Sequence, residues 1–281
     1  MKINPRYDGP QLAVFDGPAN DVALPLVRQR RRLLELLAEL PPAAWQTQSR
    51  CAGWTVQDVA AHLVGVNQFW TFSIACAMAG KPSKLLANFD PAATPATMVA
   101  GMTELSHHDV LDQLTESTNA LESAVNALSL DDWNRLGESP AGHVSLRLVA
   151  HHALWDSWIH ERDIAIPLGL RATEEPDEVV ACLRYAVAVG PLLALGNGVA
   201  VSGVFAVDGH HPDVQFTLTA NDVITVGTSP GNAEGMPSFT GSSCDLIEMA
   251  SIRTPMAPDV PPEWVALLGV LAATFATTPA S

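Results

Sequence analysis

Four stretches with apolar residues at helical spacing dominate the first 165 residues of this 281-residue chain. Such spacing produces one apolar face per helix, which must be buried against other helices. Pro41 and Pro42 stop the first stretch, and Thr55 followed by Asp58 resembles the capping box that opens a helix. The loop predicted over residues 80–100 contains three prolines. The pattern therefore predicts an up-down four-helix bundle. Its helices are predicted over residues 21–40, 56–78, 103–128 and 144–165.

The second half of the chain has a different character. Residues 176–195 are predicted to be helical, and residues 201–229 alternate β-branched and aromatic residues with turn signals, which predicts an antiparallel meander. Two further helices are predicted over 242–253 and 262–276. The predicted fold class is α plus α+β: an N-terminal four-helix bundle over residues 1–172 and a smaller α+β domain over residues 173–281.

The charge of the chain restricts its partners. The formal net charge is −15, and no basic stripe is present to replace the counterions of nucleic acid, so nucleic acid is excluded as the main partner. The one basic cluster consists of Arg28 and Arg30 to Arg32 and precedes several leucines. We interpret this cluster as the solvated face of the first helix.

The composition also predicts a compartment. No apolar run approaches the roughly 20 residues that span a bilayer, and the N-terminal residues lack a signal-peptide pattern, so we expect a cytoplasmic protein without a membrane partner. The four cysteines are far apart and are expected to be reduced structural thiols. Their positions are Cys51, Cys76, Cys182 and Cys244.

Three residues in two predicted helices form a candidate metal site. Asp156 and His160 are four residues apart and therefore share one helical face, and His62 lies in another helix. Three protein ligands leave one position of a tetrahedral metal open for water, a thiol or a substrate. Asp163 is placed to accept the second ring N–H of His160, whereas His152 is expected in a supporting position or at the surface.

Each of these residues also has a structural interpretation. His62 fits a core histidine, and His160 fits a simple ion pair with Asp156 at i,i+4 spacing. The carboxylate of Asp156, which lies between tryptophans, is expected to need a partner, and Arg162 or Arg147 could supply it.

Two segments then indicate a family. The segment SRCAGWTVQDVAAHL resembles the N-terminal signature of the mycothiol-dependent maleylpyruvate isomerase family, and LVAHHALWDSWIHERD resembles its second signature. The resemblance implies a DinB-like metal-binding bundle followed by a sterol-carrier-like α+β domain. It also implies that His62, Asp156 and His160 bind a divalent metal, commonly zinc, and that Arg253 lies close to the active site. The chain departs from the family pattern at Asp156, where the family has Glu, and this leaves the identity of the metal open.

The resemblance implies mycothiol as a thiol cosubstrate and a small electrophile as the substrate. The reaction is then an isomerisation or an S-transfer, in which Arg253 holds a substrate carboxylate or stabilises an enolate. Two alternatives are a metal-dependent hydrolase that uses a metal-bound water, and a non-catalytic small-molecule-binding protein that has lost the metal. The chain contains no GxSxG, GxGxxG or Walker motif, so serine-hydrolase and nucleotide chemistry have no support.

Overall fold

The predicted helix bundle forms the N-terminal part of the molecule. A computed structural model describes residues 3–231 and 235–275. The helices of the N-terminal part are α1 (Ala23–Glu39), α2 (Pro42–Trp45), α3 (Val56–Met78), α4 (Ala93–Ala100), α5 (His107–Asn126) and α6 (Leu146–Ala165). The four long helices, α1, α3, α5 and α6, form the bundle, and α2 and α4 are short. The predicted four-helix bundle is thus confirmed.

The order of the helices around the bundle differs from the expected one. Helices α1 and α3 each pack against both α5 and α6, so α1 and α3 occupy opposite corners. In a simple up-down bundle, consecutive helices are neighbours, and this expectation is wrong for α1 and α3. Residues 40–55, which include α2 with its buried Trp45, cross from one corner to the other. The crossing places α6 against both α1 and α3.

The start of α3 follows from local sequence. The amide of Asp58 donates to Oγ1 of Thr55 at 3.3 Å, and the amide of Thr55 donates to Oδ2 of Asp58 at 2.8 Å. These two bonds make the predicted capping box and satisfy two N–H groups that a helix start leaves unpaired. Helix α3 has the predicted bounds, and this fixes the direction in which His62 points.

Five strands form the sheet of the C-terminal region. They are β1 (Ala13–Phe15), β4 (Gly203–His210), β5 (Val214–Ala220), β6 (Ile224–Val226) and β7 (Ser238–Ser242). The order is β1-β6-β5-β4-β7. Strands β4, β5 and β6 are the antiparallel meander predicted from the sequence, whereas β1 and β7 add parallel edges. Strand β1 therefore belongs to this sheet although it lies within the region predicted as the bundle domain.

Three helices pack on the sheet side. They are α7 (Pro176–Gly196), α8 (Ser243–Ala250) and α9 (Pro262–Phe275); residue 276 of the last predicted helix lies outside the described residues. Helix α7 contacts α6, α8 and α9, and one apolar core continues from the bundle through α7 to the sheet. By length and composition α7 could cross a membrane, so the expectation that no segment could do so is wrong. In this fold 83% of the most apolar 18-residue stretch of α7 is buried.

Two segments predicted as irregular contain regular structure. The predicted loop over residues 80–100 includes a 3-10 turn, Leu85–Asn88, as well as α4. The break before α6 contains a hairpin of β2 (Leu136–Ser139) and β3 (Gly142–Ser145). The buried carboxylate of Glu138 accepts hydrogen bonds from the Tyr7 hydroxyl and from the amides of the 3-10 turn. Glu138, which is distant in sequence, therefore stabilises the 3-10 turn in a segment whose local sequence predicts a loop.

Candidate metal centre

The three predicted ligands converge between α3 and α6. Nε2 of His62 lies 3.9 Å from Oδ2 of Asp156, and Nε2 of His160 lies 3.7 Å from Oδ1 of the same carboxylate. The candidate ligand atoms of the three residues all lie within 4.8 Å of one another. The helical spacing of Asp156 and His160 and the crossing of α3 over α6 produce this cluster.

The cluster fits a divalent metal. Ligands about 2.1 Å from a tetrahedral metal are separated by about 3.4 Å, close to the two distances found here. The two contacts involve different oxygens of Asp156, so we expect small side-chain adjustments when one metal binds all three residues. The Oδ2 atom of Asp156 is buried and has no hydrogen-bond partner in the described part of the chain, as expected of an oxygen that binds a cation.

The arginine partners considered for Asp156 are engaged elsewhere. Arg147 binds Asp21, and Arg162 binds Glu248 at 2.7 Å. The alternative in which either arginine neutralises Asp156 is therefore wrong. Burial raises the pKa of Asp156, but the imidazoles of His62 and His160 hold it well below its ordinary value. The carboxyl group is thus ionised, as a metal ligand must be.

Asp163 sets the orientation of His160. Nδ1 of His160 donates to Oδ2 of Asp163 at 3.0 Å, which turns Nε2 toward Asp156 and His62. A hydrogen-bonded carboxylate behind a histidine fixes its tautomer and strengthens it as a ligand. Burial lowers the pKa of His160, but Asp163, Cys51 and Asp156 together raise it to about 10. A metal that binds Nε2 must therefore displace a proton.

Arg253 reaches the site through the same carboxylate. Its Nε and Nη2 atoms donate to Asp163 at 3.0 and 2.9 Å, and the Asp163 side chain is fully buried. The preceding residue, Ile252, has φ of 55°, a left-handed conformation that strains a β-branched residue. This turn directs Arg253 from the end of α8 back to α6. Contact with Asp163 makes Arg253 a positioning residue; contact with a substrate stays a prediction.

Cys51 also lies beside the site, which the sequence did not indicate. Its Sγ atom lies 3.2 Å from Oδ2 of Asp163 and 3.7 Å from Nδ1 of His160. These three residues form a second group with possible metal ligands. Asp163 is already neutralised by Arg253, whereas Oδ2 of Asp156 has no hydrogen-bond partner among the described residues, so the group with His62 is the better candidate for a metal site.

The interpretation of the basic cluster as a solvated face is wrong for two of its arginines. Arg32 binds Glu161 and Glu178 at 2.8 and 2.7 Å, and Arg30 is only 2% exposed. The sequence contained a signal for the burial of Arg30, because Arg30 lies four residues after Leu26 and three before Leu33, on the apolar face of α1.

His152 is not a surface residue. It is half-buried, and its Nδ1 atom is 2.7 Å from the Tyr185 hydroxyl of α7. The partner lies in the other half of the chain, so helical spacing alone could not identify it.

Comparisons with known proteins agree with this fold. Residues 26–165 match the family model of the mycothiol maleylpyruvate isomerase N-terminal domain. Through this domain, the chain belongs to the mycothiol-dependent maleylpyruvate isomerase family. A crystal structure of the mycothiol-dependent maleylpyruvate isomerase has a TM-score of 0.62 at 17% identity, covering 88% of this chain and 97% of that chain. A histidine-to-alanine mutant of mycothiol-dependent maleylpyruvate isomerase has a TM-score of 0.61 with the same identity and coverage. No curated protein matches the chain by sequence.

Proposed function

We propose that this protein is a metal-dependent enzyme that uses mycothiol to isomerise a small electrophile, with S-transfer as the related alternative. Family membership supports an isomerase-type enzyme that depends on mycothiol. The observation that carries the metal dependence is the convergence of His62, Asp156 and His160, with one buried Asp156 oxygen unpaired. Zinc is the proposed metal, because two imidazoles and one carboxylate are typical ligands of catalytic zinc sites.

The residues of the chain have distinct proposed roles. His62, Asp156 and His160 hold the metal, and Asp163 keeps Nε2 of His160 directed at it. When bound, the metal lowers the pKa of the thiol, which makes the thiolate available at neutral pH. Burial lowers the pKa of His62, so this imidazole is neutral and offers a lone pair. Arg253 fixes Asp163, and its side chain remains 24% exposed, which leaves it able to bind an anionic substrate group.

The test combines metal analysis with a thiol-dependent assay. Protein purified without chelators is expected to contain one metal ion per chain, and His62→Ala is expected to lose it. His108→Ala is the matched control, because His108 is exposed at the start of α5. Isomerisation of maleylpyruvate, followed by its ultraviolet absorbance, is expected only when mycothiol is present.

Three outcomes would contradict the proposal. Absence of stoichiometric metal from the wild-type protein would refute the proposed metal site. Turnover that is indifferent to mycothiol would favour a hydrolase that uses a metal-bound water. Ligand binding that persists at full affinity in His160→Ala, without turnover, would favour a binding protein.

A further inference from the structure

Helix α8 ends in a turn that joins Glu248 to Arg253. The amide of Ile252 donates to the carbonyl of Met249 at 3.1 Å, and the amide of Arg253 donates to the carbonyl of Glu248 at 2.9 Å. Together with the positive φ of Ile252, these two bonds form a Schellman motif, in which glycine usually occupies the left-handed position. A strained turn of this kind persists only where surrounding contacts hold it. The backbone therefore couples the position of Arg253 to that of Glu248.

The side chain of Glu248 binds two arginines of the N-terminal part. It is 6% exposed, and its Oε1 atom accepts from Nε of Arg162 at 2.7 Å and from Nη1 of Arg50 at 3.2 Å. Its Oε2 atom accepts from Nη2 of Arg50. Burial raises the pKa of Glu248, but the two guanidinium groups hold it below its ordinary value, so the carboxylate is charged. Glu248 thus connects α8 to α6 and to the segment that precedes α3.

Arg50 also lies beside Asp163, the carboxylate that binds Arg253. The amide of Arg50 donates to the carbonyl of Asp163 at 3.1 Å, and Nε of Arg50 lies 3.5 Å from Oδ1 of Asp163. Arg253 donates to the same carboxylate through Nε at 3.0 Å and Nη2 at 2.9 Å. Two guanidinium groups therefore approach one buried carboxylate. The pair with Glu248 directs both Nη atoms of Arg50 away from Asp163.

We propose that Glu248 is a positioning residue: it binds Arg50 and thereby leaves the Asp163 carboxylate to Arg253. Without the charge of Glu248, the Arg50 guanidinium is expected to turn to Asp163, because a largely buried cation requires an anion. Arg253 then loses part of its contact with Asp163 and its fixed direction. An arginine without a fixed direction binds an anionic group more weakly, because it must be ordered on binding. This last step rests on the proposed function, in which Arg253 binds an anionic substrate group.

The first test follows the contact between Arg253 and Asp163. In nitrogen-15 spectra of the full-length protein, the Nε–H signal of Arg253 is assigned by its loss in Arg253→Lys, and its exchange with water is measured. Glu248→Gln is expected to raise this exchange rate about 10-fold, because the charge-assisted hydrogen bond to Asp163 is weakened. Adding Arg50→Gln to Glu248→Gln is expected to return the rate close to that of the wild type, since the competing guanidinium is gone.

The second test measures anion binding by calorimetric titration with maleate. Glu248→Gln is expected to bind maleate about 3- to 10-fold more weakly than the wild type, and the double variant is expected to recover most of this loss. A purely structural role of Glu248 predicts instead that the second substitution restores nothing. Glu174→Gln is the matched control, because Glu174 also pairs with Arg162, at 3.1 Å, but is 41% exposed. It is expected to change neither measurement.

The outcomes separate this inference from the proposed function. Equal exchange of the Arg253 Nε–H in the wild type and in Glu248→Gln would overturn the inference. So would a double variant that exchanges as fast as Glu248→Gln, or a large fall in the melting temperature of Glu248→Gln that Arg50→Gln does not reverse. Exchange that changes as expected in a protein that does not bind maleate would refute the substrate contact of Arg253 and leave the positioning role of Glu248 standing.

Discussion

Asp163→Asn tests the link between Arg253 and the candidate metal centre. The substitution keeps the shape of the side chain but removes the charge that Arg253, His160 and Cys51 approach. Removing one member of a buried ion pair costs about 3–5 kcal/mol. We expect the lower end, about 3 kcal/mol, because the guanidinium of Arg253 is 24% exposed and can turn to solvent. For a chain of this size the melting temperature would fall by about 6–12 °C.

The assay separates stability from metal binding. Thermal and urea unfolding are measured with a chelator present, and metal affinity is then measured by competition with a chromogenic chelator. Because Asp163 orients His160, we expect metal affinity to fall about 10- to 100-fold. Glu174→Gln is the control, since Glu174 is 41% exposed and its pair with Arg162 is worth less than about 1 kcal/mol. A variant within 1 kcal/mol of wild type, with unchanged metal affinity, would refute the reasoning.

Three further predictions address protonation, folding and backbone strain. Metal affinity should rise about tenfold per pH unit from pH 6 to 9, because His160 has a pKa of about 10 and must lose a proton to bind the metal. Chelator competition measures this affinity, and a profile that does not change with pH would contradict the prediction. Glu138→Gln should lower the free energy of unfolding by about 2–3 kcal/mol, because a buried carboxylate that accepts several hydrogen bonds is lost. Urea unfolding measures this free energy, and a change below about 0.5 kcal/mol would refute the prediction. Ile252→Gly should leave thermal stability equal or higher by relieving the positive φ, while loosening Arg253; a clear fall in melting temperature would argue against strain there.

Local sequence predicted the helices well because their signals act over a few residues. The capping box of Thr55 and Asp58 fixed the start of α3, and the i,i+4 spacing placed Asp156 and His160 on one face of α6. The predicted fold class and family are confirmed. The roles of His62, Asp156, His160 and Arg253 stay predictions.

The sequence by itself therefore determined where most helices lie and which side chains share a helical face, since these depend on backbone geometry and near neighbours. Only the tertiary structure decided which faces meet. It joined β1 to a sheet about 200 residues away, turned Arg253 toward Asp163, and buried Arg30 inside the bundle. Contacts between residues distant in sequence depend on how whole elements pack, and helical periodicity carries no information about that packing.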